Sequence, residues 1–192
     1  MNEFWDFLVE GVNHILDPEG LDHFYFILSF CILYTFKDWK KILGLVTAFT
    51  VGHCITLFLS GLNIVTINTD VIEFLIPITI LLSCLNNFWI LLKDKSYKPQ
   101  LSITYLILLV FGLIHGLGFS NYIRRFIFED ESIVLPLLGF NVGIELAQLL
   151  IVAGFLSVIS IIALIAKKHT KWIKLSVNLI ITLLVLKMLF LD

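Results

Sequence analysis

Six apolar runs separated by short polar connections organise the chain, over roughly 21–36, 42–60, 70–92, 101–120, 133–165 and 172–190. A helix crosses the hydrocarbon core with about 20 residues, so the runs predict six transmembrane helices. The first run is short for a span and the fifth is long. Ahead of them, Phe4, Leu8, Val12 and Ile15 recur at helical spacing, while Glu3, Asp6, Glu10, Asn13 and Asp17 take the opposite face. This pattern predicts an amphipathic helix lying on the membrane surface. Residues 1–20 then form an interfacial helix and loop, and 21–192 a six-helix bundle. The expected fold is all-α, a polytopic membrane protein with a single transmembrane domain.

Composition agrees. Hydrophobic residues make up 59% of the chain and charged ones 15%, and the mean hydropathy of +0.99 lies outside the globular range. A soluble domain of this length would need a polar surface that the sequence lacks, so the expected partner is a lipid bilayer and not a nucleic acid. Cys31, Cys54 and Cys84 are an odd set inside apolar runs, which argues against a disulfide framework. Met1 to Gly20 has no basic stretch before its apolar part and no small-residue cleavage pattern, so no cleaved signal peptide is expected.

Charge supplies an orientation. Of the thirteen Lys and Arg residues, ten lie in alternate connections: Lys37, Lys40 and Lys41; Lys93, Lys95 and Lys98; and Lys167, Lys168, Lys171 and Lys174. The opposite side carries Arg124, Arg125 and Lys187, with most of the acids, including Asp17, Glu19, Asp70 and the run Glu129, Asp130, Glu131. The positive-inside rule then places both termini outside.

Within that frame, polar residues fall at membrane depth, where they are costly and point to function. His23 opens the first span. His53 lies about 16 Å and His115 about 21 Å from the inner ends of their helices, and Glu145 about 18 Å from the outer end of its own, at 1.5 Å per residue. Four helices thus direct ligand-type side chains toward the outer half or middle of the membrane.

Each residue also has a plainer reading. Asp22 beside His23 is equally a charge favoured by a helix N-terminus, and His14 a surface residue that folds back only if the Asp17-Pro18 and Glu19-Gly20 steps make a loop. Thr47, Thr50 and His53 share a helical face beside Gly52, where a lone histidine is often only a hydrogen-bonding group between helices. Gly112, Gly116 and Gly118 around His115 make a close-packing seam, although a seam needs no histidine. Asn141, Glu145 and Gln148 form one polar stripe at i, i+4 and i+7, which serves an interhelical network as well as a cation. Asn86 and Asn87 sit where they line an exit or hydrate a helix end, and His169 is a solvated residue among lysines. Imidazole with carboxylate suits nickel, cobalt, zinc or copper, and the absence of thiolates from the set argues against a cuprous trap.

These segments resemble the HupE/UreJ family of bacterial membrane proteins. The resemblance rests on Gly11-x-x-His14 through Asp22-His23, on Thr47-Ala48-Phe49-Thr50-x-Gly52-His53, on Phe111-Gly112-Leu113-x-His115-Gly116-x-Gly118-Phe119, and on Phe140-Asn141-x-Gly143-x-Glu145-x-x-Gln148. It implies a permease of the bacterial cytoplasmic membrane for a divalent metal ion, nickel or cobalt. The implied ligands are His14, Asp22, His23, His53, His115 and Glu145, supported by Thr50, Asn141 and Gln148. His14 departs from the longer form of the family, which has a His-Pro start to its first motif; here Ile15 follows His14 and Pro18 comes later. Two alternatives stand beside transport. One is an intramembrane zinc-dependent hydrolase, for which the HExxH pattern is absent; the other is a metal-binding membrane protein that moves nothing.

Overall fold

The computed structural model describes residues 3–18, 20–93, 101–119 and 134–191, with Lys95, Lys98, Arg124, Arg125, Glu19 and the acidic run 129–131 of the charge reading outside the described residues. Among the described residues, seven α-helices carry the fold: α1 (Glu3–Leu16), α2 (Asp22–Cys31), α3 (Trp39–Gly61), α4 (Thr69–Leu92), α5 (Leu101–Gly118), α6 (Val134–Ile165) and α7 (Thr170–Phe190). Short 3-10 turns lead into α3 and α7.

The side-chain distribution is that of a protein dissolved in lipid. Large apolar residues face outward, with Leu150 65% and Leu164 84% exposed, while His53, Asn87, His115, Gln148 and Asn178 are buried, as are Phe26, Phe49 and Phe140. With no water outside to serve them, polar groups are kept inside, where neighbouring helices offer partners.

Among the described residues, four helical stretches are long and apolar enough to cross a membrane: Phe36–Gly61, Thr69–Leu92, Val134–Ile165 and Lys167–Phe190. The apolar helix α5 is shorter, and α2 has ten residues, about 15 Å of helix against a hydrocarbon core of about 30 Å. Of the six expected spans, four are thus seen at full length among the described residues. The run 21–36 is continuous in hydropathy but not in helix. It stops after Cys31, and Thr35 opens the next turn by a capping box with Asp38, whose Oδ2 accepts from the Thr35 N–H at 3.3 Å and its hydroxyl at 3.1 Å.

Two helix pairs meet at backbone-to-backbone distance, and both run parallel. Along α1 and α6, Gly139 meets the Phe4 carbonyl, Gly143 meets Leu8 and Val12, and Gly11 meets Phe140 and Ile144. Contact positions rise together on both helices. Along α3 and α5, Gly44 meets Tyr105, Gly52 meets Leu109 and Leu113, Gly112 meets Phe49 and His53, and Gly116 meets Thr56 and His53. A Cβ at Gly11, Gly52, Gly112 or Gly143 would collide with a carbonyl oxygen of the partner helix, so the absent side chain is what allows the approach. The sequence placed α1 on the membrane surface; the structure lays it along the first half of a spanning helix. Its apolar face, with Ile15 buried, looks the same in sequence whether it meets lipid or protein, and its polar residues Asp6, Glu10 and Asn13 do remain exposed.

The two pairs cross antiparallel through α3 and α6. Thr47 reaches Glu145, while further along, Cys54 and Phe58 share a groove with Leu138 and Val134, so positions rise on one helix as they fall on the other. A buried amide knot ties the remaining helices: Asn87 donates through Nδ2 to Ser29 O on α2 (2.6 Å) and to Asn178 Oδ1 on α7 (3.0 Å), and Asn178 donates to Cys84 O on α4 (3.0 Å). His23, in the first turn of α2, lies beside α3 and α5, its ring 6.0 Å from that of His53 and 5.3 Å from that of His115.

Candidate metal centre

Four histidines from four helices converge where the two pairs meet. One nitrogen each of His14 (α1), His23 (α2) and His53 (α3) lie within 4.8 Å of one another, and the His115 ring (α5) is 5.3 Å from that of His23. His14 and His23 rings are 4.7 Å apart, and each lies 6.0 Å from His53. His23, His53 and His115 are almost wholly buried. The glycine seams do the aiming: Gly116 lies against His53 and Gly112 against the His53 backbone, which fixes α3 and α5 in register with both rings inward.

Hydrogen bonding leaves the same atoms idle. Nε2 of His14, His23 and His115 and both ring nitrogens of His53 are buried without a partner. A buried polar atom with no hydrogen bond costs roughly 1–3 kcal/mol, so five in one cluster make a costly arrangement for packing alone. Two of the rings are held from behind. The His115 Nδ1–H donates to Phe111 O at 2.8 Å, and His23 Nδ1 lies 3.2 Å from Asp22 Oδ1. With Nδ1 protonated, each Nε2 presents a lone pair inward, the arrangement by which carboxylates and carbonyls orient metal-binding imidazoles.

The surroundings are aromatic and dry. Phe119 lies 4.0 Å from the His14 ring and is stacked on Phe140 at 5.0 Å; Phe26 and Phe49 lie 5.0 and 5.1 Å from His115. Toward the face that carries the N-terminus, a cavity of about 380 Å³ lined by Glu10, Asn13, His14, Asp17 and Phe119 reaches the cluster at His14. Imidazoles in such a box suit a borderline first-row divalent ion.

The expected ligands therefore separate. His14, His23, His53 and His115 are brought together, and Asp22 stands behind His23 with its carboxylate on the ring. Glu145 is placed elsewhere: Thr47 donates to its Oε1 at 2.6 Å, and no basic partner faces it among the described residues. Its stripe goes with it. The Thr50 hydroxyl lies 3.1 Å from both Val46 O and Gln148 Oε1, and Asn141 donates to Leu137 O at 2.7 Å. Cys54 is half-buried outside the cluster. Asn86 and Asn87 line a separate cavity of about 510 Å³ with Tyr34, Ser83, Thr104 and Phe111.

Sequence reasoning missed the aromatic box and underrated His14. Both had a signal, since Gly11-x-x-His14 repeats Gly112-x-x-His115 and Phe49 and Phe140 occupy matching places in Phe-x-Val-Gly.

A family model described as HupE / UreJ protein matches residues 1–191. A search of curated proteins and a search of solved structures each found no match.

Proposed function

The chain belongs to the HupE/UreJ family, a transporter-type and not an enzymatic family, and on that premise we propose that it is a membrane permease for a divalent transition metal ion, nickel or cobalt before zinc or copper. The hydrolase alternative falls with the family assignment. One observation carries the reading. Imidazoles from four helices bring unpartnered nitrogens into one buried cluster, between a mouth on one face and a largely apolar cavity on the other.

In this reading the metal is cargo. It arrives at the mouth that holds Glu10 and Asp17, whose charges favour cations, and passes to His14. His14, His23, His53 and His115 then replace its water, with Asp22 keeping the His23 lone pair directed at it. Four nitrogens without thiolate hold nickel or cobalt less permanently than a sulfur site, which suits a substrate that must leave. The charge pattern assigns the N-terminal face to the outside of the bacterial cytoplasmic membrane, so the direction is inward. No nucleotide-binding loop is present in the sequence; any drive comes from an ion gradient, the membrane potential or a partner.

Uptake of Ni²⁺ and Co²⁺ into proteoliposomes tests this. The expected result is saturable uptake that is lost in His53→Ala and in His115→Ala while both variants remain folded. Uptake unchanged in both variants would refute the assignment.

A further inference from the structure

The two glycine-locked pairs are copies of one another, turned end over end. Gly11 meets Phe140 C=O and the Ile144 N–H group; Gly112, 101 positions on, meets Phe49 C=O and the His53 N–H group. Gly143 meets Leu8 C=O and Val12 N; Gly52 meets Leu109 C=O and Leu113 N. One pair of offsets relates these four contacts. Adding 101 carries α1 onto α5, and adding 91 carries α3 onto α6.

The polar details follow the same offsets. Thr50 lies within hydrogen-bonding distance of Val46 O, and Asn141 donates to Leu137 O. Phe49 lies against His115 at 5.1 Å and Phe140 against His14 at 5.6 Å. Gly11-x-x-His14 matches Gly112-x-x-His115, and Phe49-Thr50-Val51-Gly52 matches Phe140-Asn141-Val142-Gly143.

Each half gives one helix to each pair, so α1 of the first half is locked to α6 of the second, and α5 of the second to α3 of the first. Because α3 and α6 are antiparallel, the operation that exchanges the halves also exchanges the two membrane faces. This is the inverted-topology repeat on which rocking carriers are built, with the substrate at the junction. His14 and His115 are exchanged by it and lie on either side of the axis.

We propose that the chain is an alternating-access carrier in which arm one (α1 with α6) and arm two (α3 with α5) move as rigid bodies, opening the histidine cluster to each face in turn. The proposal rests on the permease reading and deepens it, by choosing a carrier over a channel. Within each arm most of the glycine contacts are backbone on backbone, which resists sliding. Between the arms the contacts are side-chain mediated: Thr47 to Glu145, Thr50 to Gln148, Phe119 on His14 and Phe140, and the apolar groove of Cys54 and Leu138. The structure has the cluster joined to the N-terminal face through the cavity at Glu10, Asn13 and His14. The cavity of Asn86 and Thr104 is separated from it by Phe26 and Phe111, 5.9 Å apart, with Phe26 against His115. The exchanged state opens that second side and closes the first.

The experiment uses the full chain in proteoliposomes with Cys31, Cys54 and Cys84 changed to Ala. Single cysteines Asn13→Cys and Asn86→Cys report the two cavities to an impermeant maleimide applied from either side, with and without Ni²⁺. In a second protein Cys54 is retained, Leu138→Cys is added, and the pair is bridged after folding by a short bifunctional maleimide. The expected result is that Ni²⁺ changes labelling at the two positions in opposite directions, by about threefold or more, and that the bridge stops uptake. Ni²⁺ uptake with labelling unmoved at both positions, or uptake that survives the bridge, overturns the carrier and leaves a channel. Absence of uptake in the unmodified protein overturns the permease reading and the carrier together.

Discussion

Gly112→Ala isolates the seam that aims two of the four imidazoles. An added Cβ meets the Phe49 carbonyl oxygen inside any permitted contact distance, with His53 N at 3.1 Å. The obstacle is backbone, so no rotamer change relieves it and α3 and α5 must move apart. Overpacking costs about 1–3 kcal/mol, here at the upper end, while the better helix former returns about 0.5–1 kcal/mol. The net loss is about 2 kcal/mol, and at about 2–4 °C per kcal/mol for a chain of this size the melting temperature falls by about 4–8 °C. Gly154→Ala is the control, since its Cβ meets nothing within 4 Å; it is neutral or raises the midpoint by up to about 4 °C. Thermal unfolding in detergent, followed by tryptophan fluorescence, measures both. Equal midpoints for the two variants, or a larger loss in Gly154→Ala, would refute the reasoning about the seam. Spreading α3 from α5 also separates His53 from His115, so Ni²⁺ affinity falls in Gly112→Ala and not in Gly154→Ala.

Four further outcomes are expected. Asp22→Asn keeps the shape behind His23 but removes the charge, and Ni²⁺ affinity in competition with a chromophoric chelator falls about 10–100-fold; unchanged affinity would mean the carboxylate does not orient the ring. Glu145→Gln leaves the Thr47 hydroxyl an acceptor and lies outside the cluster, so equilibrium metal stoichiometry is unchanged, and loss of bound metal would return Glu145 to the ligand set. Metal affinity weakens once the medium is acid enough to protonate the imidazoles, because protonation removes the lone pairs that bind; affinity that rose on acidification would contradict histidine ligation. Asn87→Leu leaves Ser29 O and Asn178 Oδ1 without this donor and destabilises by about 2–4 kcal/mol, read by the same thermal assay.

Much of the fold is written in hydropathy, because lipid imposes it: α3, α4, α6 and α7 begin and end within a few residues of the apolar runs. The first run misled because hydropathy does not record where a helix stops, and the capping pair Thr35 and Asp38 is a local polar signal inside an apolar stretch. α1 misled for a related reason. An amphipathic face reports that something apolar covers it without saying what, and Gly11 on that face was the sign that a backbone does. At the site, the histidines stood out because membrane depth makes them costly. Glu145 stood out equally, yet a hydroxyl on the facing helix satisfies it, and spacing along one helix carries no information about which neighbour a side chain meets. The inverted repeat has two offsets, 101 and 91, since the stretch from α1 to α3 carries ten more residues than that from α5 to α6; matching short motifs reveals it and a single-period search does not.

Nickel K-edge X-ray absorption on the purified protein, with the metal counted per chain, tests the central claim most directly. The expected result is one nickel per chain whose nearest shell is nitrogen with the outer scattering pattern of imidazole, lost when His53 and His115 are both changed to Ala. Nickel held by oxygen alone, or bound equally by the double variant, would contradict a four-histidine centre.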